Sequence, residues 1–165
     1  HVPIDQANLR NAARRSGGQT GIAKRANQRT AFLCHSHHDR ELALGLQTYL
    51  REQGLDRNID WQDATMPPQP NVETAAKLCQ RIRACEWFLY LATSNSMASR
   101  WCPWELGYAD GKKAYEKIAI VPTRDGQITH GNEYLQLYRR IEVDAYGGLG
   151  IFNPNTTQGY KVNSI

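Results

Sequence analysis

The run "WFLYLAT" at 87–93 is apolar at each of its first six positions. A strand on a half-exposed sheet alternates apolar and polar residues, so a strand apolar on both faces must be covered on both. That requirement restricts the chain to a sheet sandwiched between helices, and the neighbouring segments supply them. "TAFLC" (30–34) is a short run of strand formers, and "DRELALGLQTYLREQG" (39–54) sets Leu42, Leu46, Tyr49 and Leu50 on one helical stripe that Gly54 ends. "LDRNIDW" (55–61) reads as a second, weaker strand, followed by "QDATMPPQPN" (62–71), a loop stiffened by Pro67, Pro68 and Pro70. Helical spacing returns in "VETAAKLCQRIRAC" (72–85) through Ala75, Cys79 and Ile82. After the central run come a small polar loop "SNSMAS", a helix "PWELGYADGKKAYE" from 103, a fourth strand "KIAIVPT", an irregular stretch with "NEYLQLYRR", and a fifth strand "RIEVD". Strand and helix take turns, so the strands are parallel neighbours joined by crossovers, a doubly wound α/β fold.

The chain of 165 residues suits one domain, and no apolar run approaches the ~18 residues that would span a bilayer. No membrane association is expected. The formal charge of +4 is unevenly spread. Arg10, Arg14, Arg15, Lys24, Arg25 and Arg29 against Asp5 give residues 1–29 a net +5, leaving the rest at −1. Nucleic-acid binding leaves a basic patch on the folded surface, so none is expected of the core. The expected division is a basic, solvated extension at 1–29 with a short helix "QANLRNAARR" after Asp5 as N-cap, a domain at 30–145, and a Gly- and Asn-rich tail at 146–165 packed on it or trailing from it.

Cys34, Cys79, Cys85 and Cys102 lack paired CxxC spacing and are too few for a disulfide scaffold, so they read as free thiols in a reducing cytoplasm. "CHSHH" (34–38) is the one cluster that tempts a metal, but adjacent ligands in a turn diverge, and no metal is expected. There is no GxGxxG or GxxxxGK[ST] loop.

Ligands of a doubly wound sheet bind at the carboxyl ends of its strands, where the strand order reverses. Three loops are thereby selected: "HSHHD" after the first strand, "WQDATMPPQPN" after the second and "SNSMASRWC" after the central one, which leads to Glu105 in the first turn of its helix. A carboxylate in a first turn is ordinarily explained by the helix dipole alone. Of Trp101 and Trp104, three apart, Trp104 reads as core, and Trp61 as either a loop anchor or a platform for a base. Tyr108 reads as packing that orients Glu105, and His35, Ser36 and His37 as the rim.

Taken in order, three segments resemble the boxes of the Toll/interleukin-1 receptor (TIR) domain family, of the bacterial type. "AFLCHSHHDRELALGL" is similar to the first box, "IDWQDATMPP" to the second, and "SRWCPWELGYADGKK" to the third-helix motif of Trp, three residues and Glu, here Trp101 and Glu105. The resemblance covers about 30–145. It implies a flavodoxin-like, five-stranded parallel sheet and, in the members that cleave NAD+ between nicotinamide and ribose, a catalytic glutamate at the position of Glu105. It further implies NAD+ as substrate rather than cofactor, contacts from His35, Ser36, His37, Trp61, Asp63, Trp101 and Tyr108, and release of ADP-ribose or a cyclic isomer in antiviral defence. Self-association through TIR–TIR contacts, in which the second-box loop touches a neighbour, and an effector or receptor protein as partner are implied as well. Two departures bear on these expectations: Cys34 stands where serine is common, and Ser36, His37 and His38 where some members carry basic residues.

Bond cleavage in NAD+ leaves positive charge on the ribose, while nicotinamide departs from an already cationic nitrogen. A carboxylate beside the anomeric carbon is therefore worth more than a general acid. Two other readings fit the same residues: a non-catalytic TIR interaction module, and a nucleoside deoxyribosyltransferase-like glycosidase, which also combines a flavodoxin-like sheet with a glutamate.

Overall fold

The computed structural model describes residues 1–16, 30–55, 57–62 and 64–165. Five strands form a parallel core: β2 (Thr30–Cys34), β3 (Asn58–Asp60), β4 (Trp87–Ala92), β5 (Ile118–Asp125) and β7 (Arg139–Val143), in the order β3-β2-β4-β5-β7. That is the flavodoxin-like order, with its switch point between β2 and β4. Every residue of β4 is buried, as its unbroken apolar run requires. Its alternate side chains feed two cores, Trp87, Leu89 and Leu91 on one face, Phe88, Tyr90 and Ala92 on the other.

The first face is covered by α1 (Gln6–Arg15) and α2 (Arg40–Glu52), the second by α3 (Val72–Ala84) and α5 (Trp101–Lys112). Helix α2 buries Leu42, Leu46 and Leu50, leaving Tyr49 partly covered. It ends at Gly54, whose φ of +87° is costly for a side-chain-bearing residue, while the Leu55 N–H returns to the Leu50 carbonyl. The buried stripe of α3 is Leu78 and Ile82, one position away from the expected Cys79, because the helix is turned to seat Leu78 against the sheet.

The N-terminal segment departs most from expectation. Instead of a solvated extension, β1 (Ile4–Asp5) pairs in parallel with the far end of β5, and α1 packs on α2. Leu9, Ala12 and Ala13 at i, i+3 and i+4 face inward, while Arg14 and Arg15 stay exposed. The basic charge lies on the outer face of a helix whose small residues allow close approach. At Gly45 of α2 a Cβ would sit 1.8 Å from the Leu9 carbonyl oxygen. Asp5 does not cap α1 with its side chain; its carboxylate pairs with Arg124 of β5. The helix expected at 6–15 is present; the remainder of the extension, 17–29, lies outside the described residues.

The tail packs on the domain: β8 (Leu149–Phe152) and β9 (Gly159–Lys161) continue the sheet antiparallel from β7. Three short elements were not resolved by periodicity. β6 (Ile128–His130) pairs with β5, α6 (Asn132–Leu135) lies in the stretch expected to be irregular, and α4 (Ser94–Ala98) replaces the expected polar loop. A reciprocal capping box between Thr93 and Ser96 makes α4.

Candidate active site

At the switch point, outside the carboxyl ends of β2, β3 and β4, lies a cavity of about 400 Å³. Its walls are His35, Ser36, His37 and His38 after β2, Thr65 to Pro68 after β3, Asn95, Ala98 and Ser99 after β4, and Trp101, Cys102 and Glu105 of α5. All three loops selected from the sequence converge on it.

Helix α5 starts two residues earlier than its proline suggested. The Ser99 hydroxyl accepts from the backbone N–H of Trp101 and of Cys102, at 3.1 and 3.3 Å, and Pro103 occupies a first-turn position whose N–H has no helical partner in any case. Glu105 consequently stands in the second turn, one turn beyond Trp101 and on its face. The helix-dipole account of an exposed first-turn carboxylate does not apply, because Glu105 is 1% exposed. Its Oε2 has no hydrogen-bond partner among the described residues. Burial is the main force on this group and raises its pKa from 4.5 to about 8; a hydrogen bond from the Cys34 thiol and the charge of Arg81 oppose the rise. Burial thus favours a neutral Glu105 that a nearby positive charge would ionise.

His35 is buried, and its Nδ1 lies 3.1 Å from the Leu33 carbonyl. A carbonyl only accepts, so Nδ1 carries the proton and Nε2 is left as an acceptor. Burial lowers the pKa of this imidazole, which suits it to accept from a hydroxyl better than to pair with a phosphate. Ser36 turns its hydroxyl to the His38 N–H and caps the short turn at 37–39. His37 and His38 are exposed, their ring centroids 3.8 Å apart and the rings tilted by 40°. Cys34 and His35 point into the protein while the other two imidazoles point out, so the "CHSHH" side chains do not converge.

Two polar attachments fix the walls. Asp39, at the start of α2, accepts from the Thr93 hydroxyl and, at 2.8 Å, from the Asn95 amide, joining the loops after β2 and β4. Arg81 of α3 binds the Asp60 carboxylate and the Gln62 carbonyl and lies over the Phe32 ring, anchoring the loop after β3. Neither attachment was read from the sequence, since each joins residues more than fifteen apart.

Of the residues selected beforehand, His35, Ser36, His37, Trp101 and Glu105 meet at the cavity. Trp61 does not: it is buried in the core with its Nε1–H on Gln47 Oε1 at 3.0 Å and has no free face for a base. Tyr108 is not among the residues that line the cavity; its hydroxyl is bound by Arg83 and its ring is stacked on Trp104. Trp104, expected in the core, is exposed and packs edge-on against Trp101 at 5.9 Å. The helix presents Cys102, Glu105, Leu106 and Ala109 inward, which turns position 104 to solvent. Asp63 lies outside the described residues. Cys102, which lines the cavity with Glu105, was not selected.

A doubly wound domain with a buried glutamate lining a cavity at its switch point is equipped to stabilise a cation. The chain belongs to the TIR domain family, whose model matches residues 31–148. It is 38% identical over 112 residues to the probable 3' cyclic ADP-D-ribose synthase ThsB' of Bacillus cereus (strain MSX-D12). The match takes in 65% of this chain and 57% of the length of that relative.

Proposed function

We propose that the chain cleaves NAD+ at the nicotinamide–ribose bond and releases nicotinamide with a cyclic isomer of ADP-ribose or ADP-ribose itself. The observation that carries this reading is the Glu105 carboxyl, buried, unpartnered at Oε2 and lining the cavity. The nicotinamide-bearing carbon of NAD+ adjoins a positively charged ring, and the ribose becomes cationic as the bond breaks. A carboxylate in a low-dielectric cavity stabilises that charge far more than one in water. Glu105, held neutral by burial, ionises as the cation arrives. It then accepts the proton of whichever hydroxyl attacks, a role suited to a group with a pKa of about 8.

Trp101 shields the mouth, and water kept away from the cationic ribose favours capture by a hydroxyl of the bound molecule itself, hence cyclisation. The name of the Bacillus relative supports the cyclic product. His35, as an acceptor, is suited to a ribose hydroxyl. No helix among the described residues is long and apolar enough to cross a membrane, and a cytoplasmic protein using NAD+ fits this reading. Self-association through the Pro67–Pro68 loop, an effector that receives the product, and a role in antiviral defence belong to the same proposal and rest on the family resemblance.

The test is to incubate concentrated protein and NAD+ with a crowding agent and separate the products chromatographically, alongside Glu105→Gln. Nicotinamide release that disappears in the variant is expected. Silence from self-associated wild-type protein would favour an interaction module, and turnover of nucleosides instead of NAD+ would favour a deoxyribosyltransferase-like glycosidase.

A further inference from the structure

Strand β1 pairs with the carboxyl end of β5, Ile4 beside Thr123 and Asp5 beside Arg124, so α1 begins at the rim of the sheet where the loops converge. Gln6 and Arg10, one turn apart, share a face of that helix. Gln6 is buried; its amide donates to the Thr123 hydroxyl at 3.0 Å, and its carbonyl accepts from the Arg10 guanidinium at 3.3 Å. Both side chains line a second cavity, of about 240 Å³, with Asp39, Glu41, Thr93 and Asp125 among its other walls. His38 and Asn95 line this cavity and the one that Glu105 lines, so the two adjoin at the Asn95 amide, which Asp39 holds at 2.8 Å. We infer that Arg10 binds the pyrophosphate of the dinucleotide, and that the second cavity takes the phosphate-bearing half of the substrate. This rests on the reading of NAD+ as substrate, and extends the site to a helix outside the 31–148 that the family model matches.

Charge is what points to that ligand. The pyrophosphate of NAD+ is a dianion, joined through C5′ to the same ribose whose bond to nicotinamide breaks. A site that takes this ribose at Glu105 has the phosphates close by. Among the described residues that line either cavity, Arg10 is the one lysine or arginine. The turn after β2, where some TIR members carry basic residues, offers Ser36, His37 and His38 instead. Arg10 is also without a counter-charge: its hydrogen bond goes to the neutral Gln6 amide, and no carboxylate among the described residues lies within ion-pair distance of it. Asp39 is occupied by Thr93 and Asn95, while Glu41 and Asp125 are exposed on the rim, where water and salt screen them. A guanidinium presents parallel N–H donors that fit two phosphate oxygens at once, and the Gln6 carbonyl steadies its orientation.

Calorimetric titration with ADP-ribose, which keeps the pyrophosphate and lacks nicotinamide, reads the contact without turnover. Arg10→Gln keeps part of the apolar stem and removes the charge, whereas Arg10→Lys keeps the charge and loses the fork. The dissociation constant should rise roughly ten- to a hundred-fold in Arg10→Gln, as expected when a hydrogen bond to a charged group is lost, and Arg10→Lys should recover part of the loss. Arg14→Ala, on the exposed side of the same helix and lining neither cavity, should bind as the wild type does. In turnover, Arg10→Gln should raise KM for NAD+ and leave kcat nearly unchanged, the mark of a contact made equally in ground and transition states. Equal affinity of wild type and Arg10→Gln for ADP-ribose, absence of binding by both included, overturns the proposal whatever the turnover shows. Binding that depends on Arg10 in a protein that releases no nicotinamide would leave the contact standing and remove the enzymatic reading instead.

Discussion

Trp101 and Glu105 lie one helical turn apart on the same face of α5, and both line one cavity, the tryptophan half-exposed at the wall and the glutamate buried. On the proposed reading, the tryptophan has a task that core packing would not require: keeping water from the carboxylate. In Trp101→Ala that wall is lost. Nicotinamide release should fall by roughly ten- to a hundred-fold, as expected when water-exclusion and fit are lost around a charge-stabilising group. The ratio of linear to cyclic product should rise, because water then reaches the cationic ribose. Chromatography of the products measures both effects.

The buried carboxyl also sets the dependence of stability on pH. The unfolded chain releases the Glu105 proton near 4.5, whereas the folded chain holds it to about 8. Between those values the folded state binds one more proton, so stability falls as pH rises; the contribution is complete below about 4.5 and gone above about 8. At ~1.4 kcal/mol per pH unit the loss is on the order of a few kcal/mol, or several degrees of Tm. Glu105→Gln cannot titrate, so this component of the decline should be absent from it. Thermal unfolding of both proteins at several pH values between these limits checks the slope, and parallel curves would contradict the burial-driven shift.

Trp61 offers the converse case, a residue suspected of binding and found in the core. Trp61→Phe removes the Nε1–H that satisfies the buried Gln47 carbonyl, and an orphaned buried acceptor costs ~1–3 kcal/mol. A lower Tm with an unchanged KM for NAD+ is expected. A raised KM at unaltered stability would restore the base-platform reading.

The alternation of strand and helix and the meeting of three loops were legible because they depend on local signals: an unbroken apolar run, a helical stripe, a proline cluster, and the topological rule that puts ligands at strand ends. What escaped was set by contacts distant in sequence. The charge of residues 1–29 suggested solvation, but Arg14 and Arg15 share a helix with Leu9, Ala12 and Ala13, and only the partner surface on α2 shows that the apolar side is used. Trp104 was misplaced because the inward face of α5 is the one carrying Cys102, Glu105, Leu106 and Ala109, which turns position 104 to solvent while Trp101 keeps its place at the cavity. The boxes located the glutamate, whereas its burial comes from how α5 packs against the sheet.

Contact between α1 and α2 can be tested at one position. A Cβ on Gly45 would overlap the Leu9 carbonyl at 1.8 Å, and backbone cannot yield as a side-chain tip can. Gly45→Ala should therefore destabilise the fold by ~2 kcal/mol or more, although alanine is the better helix former by about 1 kcal/mol. Denaturant unfolding reads the change. Stabilisation instead would mean that α1 does not sit against α2 in solution.

Substrate binding should release a proton. Burial holds Glu105 mostly neutral at pH 7, since its pKa is about 8. The cationic nicotinamide riboside brings a positive charge within a few ångströms, where an opposite charge lowers a carboxyl's pKa by ~1–3 units. The proton that leaves goes to the buffer, so the apparent binding enthalpy of NAD+ should vary with the ionisation enthalpy of the buffer, approaching one proton released per site at pH 7. Reduced NADH, whose nicotinamide ring is uncharged, should release far less. Calorimetry at low temperature, where turnover is slow, in two buffers of different ionisation enthalpy measures the release. Equal release with the two dinucleotides would mean that Glu105 does not sense the charge of the leaving group, and its part in stabilising the ribose cation would have to be given up.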